Sequence, residues 1–347
     1  MEKGNIVVLY TEFMPYNLAA FQALAREAAL HVHIVYWDHK KLTPYLPPST
    51  ENLTFIPYST VDRGAMITLV KMLEPKFVFV SGWTDKTYMA VAFYCRRNHI
   101  DVVLGFDTKW TGNLRQVLQL FAARFLIRSF FSKAFVPGNS QYHFARKLGF
   151  RHKEIQTGAY TADVDCFGGV QSVNRSKSIL FIGRLSLVKG IDLLVRSFLR
   201  LRNDTNFSGW SLIIVGNGEL RDQLPKDSSV IFKDFLSQQD IAMLANEAAF
   251  FCLPSRIEAW GLVVHEMASA GLPLLLSDSC GSAEDFLIAG YNGFTFHSGN
   301  DEDLSVKLSI MMSKSFEELR DMGERSRLLS QRNSPQLWSY KLLSLIR

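Results

Sequence analysis

The sequence predicts an α/β protein made of two doubly wound parallel sheets that face each other across a cleft. Short apolar, β-branched or aromatic runs alternate with longer amphipathic segments, which is the pattern of parallel βαβ units. The pattern restarts at residue 179, so it describes two sheets rather than one. The length agrees, because 347 residues exceed the usual size of one domain. A hydrophobic share of 48% and a charged share of 20% are typical of a folded chain.

The predicted strands form two series. The first series is Ile6–Tyr10, Val32–Trp37, Phe77–Ser81, Val102–Gly105 and Ala134–Val136. The second series is Ile179–Gly183, Leu212–Gly216, Val230–Phe232, Phe250–Leu253, Leu274–Ser277 and Gly293–Phe296. Ligands of parallel sheets bind beyond the carboxyl ends of the strands, so we expect the active site in the cleft.

A linker separates the two series. Residues 158–177 contain Gly168-Gly169, and residues 171–178 are polar, which favours a connection over a helix or strand. We therefore expect a first domain over residues 1–166 and a second over 167–334. A C-terminal helix is predicted for residues 335–347, after Asn333-Ser334, and its apolar residues Leu337 and Trp338 lead us to expect that it packs back on the first domain.

The positive charge of the chain lies in its first half. Residues 1–165 hold 19 Lys and Arg against 13 Asp and Glu, whereas residues 166–347 hold 19 against 20. Residues 108–153 contain no acidic residue. Their basic residues are Lys109, Arg115, Arg124, Arg128, Lys133, Arg146, Lys147, Arg151 and Lys153. We expect this stretch to face something anionic.

The segment 114–131 within this basic stretch has helical periodicity and two interpretations. One predicted face carries Leu114, Val117, Leu118, Phe121 and Phe125. Either this face is part of the core, or it is an interfacial surface that contacts an anionic membrane. Nucleic acid is not expected as a partner, because no nucleic-acid-binding module accompanies the charge.

The sequence predicts neither a membrane span nor a secretory signal. No stretch reads as 18 or more apolar residues, and Met1-Glu-Lys-Gly is followed at once by the strand-like run Ile6–Leu9. We therefore expect a cytoplasmic protein, with membrane association through the basic stretch as an option. The cysteines, Cys95, Cys166, Cys252 and Cys280, lack zinc-ligand spacing and are expected to be buried thiols.

A strand that ends at Pro254 and a helix that begins near Gly261 enclose the most informative loop. Amide groups at the start of such a helix, together with its dipole, attract phosphate. Glu258 precedes the helix and Glu266 lies on it, and eight residues at helical rise span roughly 12 Å. This separation suits the two ends of a nucleotide sugar, whose hydroxyl pairs carboxylates bind. The alternative is a solvated Glu258 and an ordinary helix-surface Glu266.

Two cations follow the first strand of the second series. Arg184 and Lys189 lie in the loop after Ile179–Gly183, where an arginine fork and a lysine point charge suit a departing diphosphate. The alternative is that both are ordinary surface cations.

These segments together resemble retaining glycosyltransferases of family 4, which have the GT-B fold of two Rossmann-like domains. The matching motifs, in order, are Gly183-Arg-Leu, Lys189-Gly190, Val215-Gly-Asn-Gly-Glu219, Pro254-Ser, Glu258, Glu266, Gly271-Leu-Pro273, Gly281-Ser-Ala-Glu284 and Gly290-Tyr-Asn-Gly293. The resemblance covers about residues 134–297. It implies that the first domain is the acceptor side and the second binds the nucleotide sugar.

The resemblance also implies roles for single residues. Arg184 and Lys189 would bind the donor diphosphate, Glu258 would face the transferred sugar, and Glu266 would hold the ribose hydroxyls. The remaining expected donor contacts are Gly183, Ala259, Trp260, Gly261 and Leu262. The sequence departs from the family at Trp260, His265 and Cys280, and the latter two bear on donor choice.

In the first domain the strongest candidate is Asp107. It follows a predicted strand and is expected near the reacting sugar, although a helix N-cap explains an Asp at that place equally well. The loop Thr11–Asn17 lacks the glycines of many relatives, so Asn17 is expected either in the acceptor wall or in a structural turn.

No cofactor or metal is expected to be obligatory. The run Val215-Gly-Asn-Gly lacks the third glycine of a dinucleotide site, which disfavours NAD. Asp163-Val-Asp165 has the spacing of a metal-binding carboxylate pair but lies in the predicted linker, so we interpret it as hinge structure.

The expected activity is transfer of a hexose-type sugar from a UDP or GDP donor to an acceptor hydroxyl with retention, an outcome that rests on the resemblance alone. The acceptor is expected to be a carbohydrate or a lipid-linked molecule, as in polysaccharide, glycolipid or glycoconjugate biosynthesis. Two alternatives stay open, a nucleotide-sugar epimerase on the same fold and a non-catalytic nucleotide-sugar-binding subunit.

Overall fold

The computed structural model describes residues 4–39, 45–169 and 175–346, except the side chains of Arg115, Gln119, Phe121 and Ala122. Residues 170–174 of the predicted linker therefore lie outside the described residues. The chain forms two compact units: unit 1 comprises Met1–Thr161 and Asn333–Arg347, and unit 2 comprises Ala162–Arg332. No helix in the described ranges is long and apolar enough to cross a bilayer.

The strands of unit 1 are β1 (Gly4–Tyr10), β2 (Leu30–Tyr36), β3 (Leu53–Pro57), β4 (Phe77–Ser81), β5 (Asp101–Gly105), β6 (Lys133–Val136) and β7 (Ile155–Thr157). Those of unit 2 are β8 (Ser178–Ile182), β9 (Ser211–Val215), β10 (Val230–Lys233), β11 (Phe250–Leu253), β12 (Leu274–Ser277) and β13 (Gly293–Phe296). All pair in parallel, in the orders β3-β2-β1-β4-β5-β6-β7 and β10-β9-β8-β11-β12-β13. The predicted fold class, two Rossmann-like α/β sheets, is confirmed.

The α-helices, in chain order, are α1 (Pro15–Glu27), α2 (Arg63–Leu73), α3 (Lys86–Arg97), α4 (Leu114–Phe130), α5 (Asn139–Lys147), α6 (Val164–Gly168), α7 (Ile191–Arg202), α8 (Gln238–Glu247), α9 (Leu262–Ser269), α10 (Ala283–Phe286), α11 (Asp301–Met312), α12 (Phe316–Ser330) and α13 (Pro335–Ser344).

Two strands of unit 1 are absent from the prediction, and both lie at edges of the sheet. β3 ends in Pro57, which cannot donate a ladder hydrogen bond, and β7 has only three residues. Neither has the long apolar run of a central strand. Their pairing with β2 and β6 is what makes them strands.

The sheet of unit 1 has a core on each face, because alternate side chains of a strand point to opposite faces. Val7 and Leu9 of β1 lie in the core beneath α2 to α5, whereas Ile6 and Val8 lie in the core beneath α1 and α13. In this second core Trp338 of α13 packs on Phe21, with ring centroids 5.1 Å apart. Its Nε1 also donates to the carbonyl oxygen of Ala159, at 2.7 Å.

α4 corrects one interpretation of the sequence. Of the predicted core face, Leu114, Val117, Leu118 and Phe125 are exposed, while the side chain of Phe121 is outside the described residues. The face that packs inward carries Ile127, with Leu120, Ala123 and Phe130 partly buried. The core interpretation is wrong because α4 has apolar residues on two faces, and periodicity alone does not say which one the sheet covers.

The unit boundary lies five residues before the predicted one. Ala162 and α6 belong to unit 2, because α6 packs on α8 and α9 and the Ala162 N–H donates to Nδ1 of His265 at 3.0 Å. The chain returns from unit 2 to unit 1 after Arg332, so Asn333 and Ser334 belong to unit 1 together with α13. There the Asn333 side chain donates to the carbonyl oxygens of Gly158 and Tyr160.

Candidate functional site

The candidate site lies at the carboxyl ends of β8 and β11 in unit 2. These strands are neighbours in the sheet, although β9 and β10 separate them in sequence. The chain turns outward from β8 toward β9 on one side and from β11 toward β12 on the other, which makes this the switch point where such sheets bind ligands. The loop 183–190 follows β8, and the loop 254–261 follows β11.

An ion pair joins the two loops. Nζ of Lys189 lies 2.5 Å from Oε2 of Glu258, and the hydroxyl of the fully buried Ser255 donates to the same oxygen at 3.2 Å. The Glu258 side chain is 10% exposed, whereas that of Lys189 is 29% exposed. A nearly buried carboxylate is thus held by a cation that solvent still reaches.

Two glycines permit this approach of the loops. Gly190 has a φ of +68°, and a Cβ at this residue would lie 2.0 Å from the carbonyl oxygen of Pro254. Gly261 has a φ of +86°, and its Cβ would lie 3.1 Å from Cγ of Glu258. Both conformations favour glycine, and at Gly190 any side chain would also push the loops apart.

Arg256 and Asp192 add a second connection between the loops, which the sequence analysis missed. The Arg256 guanidinium donates to both Asp192 oxygens at 2.6 and 2.7 Å, and to the carbonyl oxygen of Leu187. Hydrogen bonding to Asp192 raises the pKa of Arg256. Asp192 is the second residue of α7, so the pair fixes the loop that carries Lys189 against the start of this helix. Sixty-four residues separate the partners, and no local pattern links them.

Arg184, the other predicted cation, is exposed, and no ion-pair partner is found for it in the part of the chain that the structure describes. Gly183 before it donates its N–H to the Val215 carbonyl oxygen, at 3.0 Å. That N–H group is therefore already paired with the neighbouring strand. A Cβ at Gly216 would lie 2.1 Å from the Gly183 carbonyl oxygen, so the loop after β9 lies directly against this turn.

The start of α9 presents the predicted amide groups. α9 begins at Leu262, and the first N–H groups of any α-helix lack partners within it. Ala259 and Leu262 are partly buried. Trp260 is 3% exposed, and its Nε1 has no hydrogen-bond partner among the described residues. Because α9 does not include residues 258–261, the helical spacing used to separate Glu258 from Glu266 holds only from Leu262 onward.

Glu266 is partly buried on α9 and has a perturbed titration. Burial raises the pKa of Glu266 to about 7. The negative charge of Asp163 contributes a smaller increase, whereas a hydrogen bond from Gln238 lowers the pKa. The Gln238 Nε2 lies 3.5 Å from Oε1 of Glu266. This carboxyl group therefore changes charge near neutral pH.

Asp107 lies in unit 1, after β5. Its Oδ2 accepts a hydrogen bond from the Tyr160 hydroxyl at 3.4 Å, and its carbonyl oxygen accepts one from the Gln141 side chain. The N-cap interpretation is wrong, because Asn113 caps α4. Burial, followed by the charge of Asp107, raises the pKa of Tyr160 well above its usual value. Asn17 forms a structural turn, since its Oδ1 accepts the Met14 N–H at the start of α1.

The remaining residues singled out in the sequence have structural contacts. His265 is fully buried: its Nδ1 accepts the Ala162 N–H and its Nε2 donates to the Ser330 carbonyl oxygen. Asp163 caps α6 through the N–H of Cys166. Among the described side chains, no group of three or more His, Cys, Asp or Glu is placed to hold a metal ion.

Comparison with known proteins finds a similarity that covers most of unit 2. Residues 169–329 match the family model "Glycosyl transferases group 1". An uncharacterized glycosyltransferase of Methanocaldococcus jannaschii is 31% identical over 152 residues, which are 42% of this chain and 37% of that protein. The chain spans less than half the length of the curated relatives it matches.

Solved structures extend the similarity in fold to both units. A glycosyltransferase from Rickettsia africae matches with a TM-score of 0.75 and 13% identity over 100% of this chain and 98% of its own. The Anabaena protein HepE, in complex with UDP and glucose, matches with a TM-score of 0.73 and 14% identity, over 97% and 98% of the two chains. At these identities the similarity establishes the GT-B fold alone.

Proposed function

We propose that the chain transfers a hexose-type sugar from a nucleoside diphosphate sugar to an acceptor hydroxyl, a proposal supported by the match of residues 169–329 to the family model "Glycosyl transferases group 1". One observation carries the proposal: Lys189 and Glu258 meet where two glycine-bearing loops leave β8 and β11. That edge of the sheet is where the fold binds ligands, and the Anabaena structure of the same fold holds UDP and glucose.

The proposed donor site uses the charges of the two loops. The diphosphate binds to Arg184, Lys189 and the amide groups at the start of α9, since a helix N-terminus and two cations together favour a dianionic group. Lys189 then exchanges its contact with Glu258 for a phosphate oxygen. Glu258 is released to accept hydrogen bonds from the hydroxyls of the sugar, and Glu266 accepts those of the ribose. UDP or GDP is the proposed nucleotide.

The proposed reaction needs no side-chain nucleophile. The bond between the anomeric carbon and the phosphate oxygen breaks, and the negative charge that develops on the diphosphate is stabilised by Arg184, Lys189 and the α9 amides. The acceptor oxygen attacks the same face of the sugar and passes its proton to the departing phosphate oxygen, so the configuration is retained. Asp107 is proposed to lie beside the reacting sugar. Retention rests on the resemblance to family 4.

The acceptor is proposed to be a carbohydrate or a lipid-linked molecule, as in the synthesis of polysaccharides, glycolipids or glycoconjugates. A cavity of about 30 Å³ in unit 1 is too small for a sugar ring. We therefore assign no acceptor subsite to it.

The test is a thermal-shift panel of UDP, GDP, ADP, CMP and their common sugars, followed by product analysis. A ligand at 100 times its Kd stabilises the folded protein by about 2.7 kcal/mol, which a shift of the melting temperature reveals. A sugar transferred to acceptor in its original anomeric form supports the proposal. An altered sugar formed without acceptor indicates an epimerase instead, and donor binding without turnover across an acceptor panel indicates a binding subunit.

A further inference from the structure

The helices on one face of unit 1 carry charge of a single sign. α2, α3, α4 and α5 contain two, three, three and two Lys or Arg residues, and none contains Asp or Glu. These four helices cover the same core on one side of the sheet, with α3 packed against both α2 and α4. The charges of α11 and α12 in unit 2 are mixed, because these two helices together hold seven acidic and four basic residues.

The positive charge of this layer is largely open to solvent. Among the side chains of this layer that the structure describes, the exposed Lys and Arg residues are Arg63, Lys71, Lys86, Arg97, Arg124, Arg146 and Lys147. Acidic residues next to these helices are few, and of them Glu74, at the end of α2, is exposed. Asp62 and Asp85 cap α2 and α3, and Glu154 pairs with Arg128 and Arg151.

Large apolar side chains are exposed in the same layer. On α4, Leu114, Leu118 and Phe125 are 74%, 66% and 78% exposed, and they share the side opposite to the buried Ile127. Met72 of α2 is 77% exposed and Phe93 of α3 is 41% exposed. Phe93 also packs on Phe130 of α4, with ring centroids 5.6 Å apart, which makes the surface continuous across α3 and α4.

We propose that this layer docks the protein on an anionic lipid bilayer, with Leu114, Leu118 and Phe125 entering the interface and the basic side chains contacting lipid headgroups. Positive charge is attracted to an anionic surface. Burial of exposed leucine and phenylalanine side chains is favourable where they can enter an apolar phase, and a bilayer provides one. A nucleic acid or soluble polyanion would use the charges and leave the apolar residues in water. The inference does not depend on the transferase activity, because it uses no residue of the donor site.

The experiment measures co-sedimentation of the full chain with vesicles of phosphatidylcholine alone and of phosphatidylcholine with phosphatidylglycerol. We expect binding to the anionic vesicles only, weakened by salt. The variant L114S/L118S/F125S should bind at least tenfold more weakly. Arg124→Gln and Lys147→Gln should each weaken binding about fivefold, since each charge near such a surface contributes about that factor.

The matched control is V306S/I310S/L328S, which removes three exposed apolar side chains from α11 and α12, where charges are mixed. It should bind vesicles like the parent. Equal binding to both vesicle types, or an unchanged L114S/L118S/F125S variant with parental circular dichroism, would overturn the proposal. The proposal would also be overturned if the parent were a dimer in solution and L114S/L118S/F125S were a monomer. It would likewise be overturned if L114S/L118S/F125S lost no more vesicle binding than the control variant does. The two single-charge variants keep the test valid if the triple variant misfolds.

Discussion

The two sheets have the same strand order around their switch points, yet the loops at those points differ in chemistry. In unit 2, β8 and β11 lead into loops whose glycines allow close approach and whose charged side chains meet at Lys189 and Glu258. In unit 1, aromatic rings line the equivalent edge between β1 and β4 and leave only a small cavity: Tyr10 stacks on Phe79, and Tyr16 packs against Tyr160. The shared topology thus defines where a ligand can bind, but the loop residues decide whether there is room and charge for one.

The largest expected effect is a loss of stability when Gly190, at the switch point of unit 2, is substituted, compared with Gly82 at the switch point of unit 1. Gly190→Ala should lower the free energy of unfolding by about 3 kcal/mol or more, because its Cβ meets the Pro254 carbonyl oxygen at a positive φ. Gly82→Ala, after β4, has a φ of +81° but nothing within 4 Å of its Cβ, and should cost only about 1–2 kcal/mol. Urea denaturation measures both. Equal losses would show that the contact with Pro254 has no energetic weight.

The next effect concerns turnover. Lys189→Ala and Arg184→Ala should each lower kcat at least tenfold, because loss of a charge-assisted contact to the leaving group costs more than about 1.4 kcal/mol. Arg320→Ala, on the exposed side of α12, is the control and should leave kcat unchanged. Steady-state kinetics with the donor found in the ligand panel provide the measurement. Near-parental turnover in both variants would remove the proposed clamp.

The two glutamates should separate binding from catalysis. Glu266→Ala should weaken nucleotide affinity about tenfold, since a carboxylate that accepts two hydroxyl hydrogen bonds is lost. Glu258→Ala should change nucleotide affinity less and lower kcat more. Calorimetry with the free nucleotide and kinetics with its sugar make the comparison. The reverse ranking would exchange the two roles.

The smallest expected effect is a pH dependence that originates at Glu266. Burial raises its pKa to about 7, so donor affinity should rise severalfold between pH 6 and pH 8 as the carboxylate forms. Stability should change in the opposite sense, because a raised pKa in the folded state favours the folded protein at low pH. That contribution is lost as the pH rises through 7. Glu266→Gln should flatten both profiles, and a parental profile in this variant would assign the titration to another group.

The central strands were predictable because each is a local apolar run between turn residues. β8, β9 and β11 to β13 lie within one or two residues of the predicted bounds. β3 and β7 were missed, because edge strands are formed by pairing more than by composition. Arg184, Lys189, Glu258 and Glu266 were singled out from local motifs, whereas the Arg256–Asp192 pair joins distant segments and has no local signal.

α4 shows the same limit for a surface. Its sequence establishes a helix with apolar residues on two sides and basic residues between them, but both sides satisfy the helical period. Only packing against the sheet selects Ile127 for the core and leaves Leu114, Leu118 and Phe125 exposed. The excess of basic residues in 108–153 could be read from the sequence. The sequence did not predict that the helices of this stretch lie in one layer with α2 and α3.

The amino-acid sequence by itself therefore determined the two series of strands and helices, the loops rich in glycine and charge, and the acid-free basic stretch, since all of these depend on neighbouring residues. The tertiary structure decided which strands are adjacent, which side of α4 meets water, and that Lys189 contacts Glu258. Those outcomes depend on contacts between distant segments, because burial and strand pairing are set by the whole chain competing for one core.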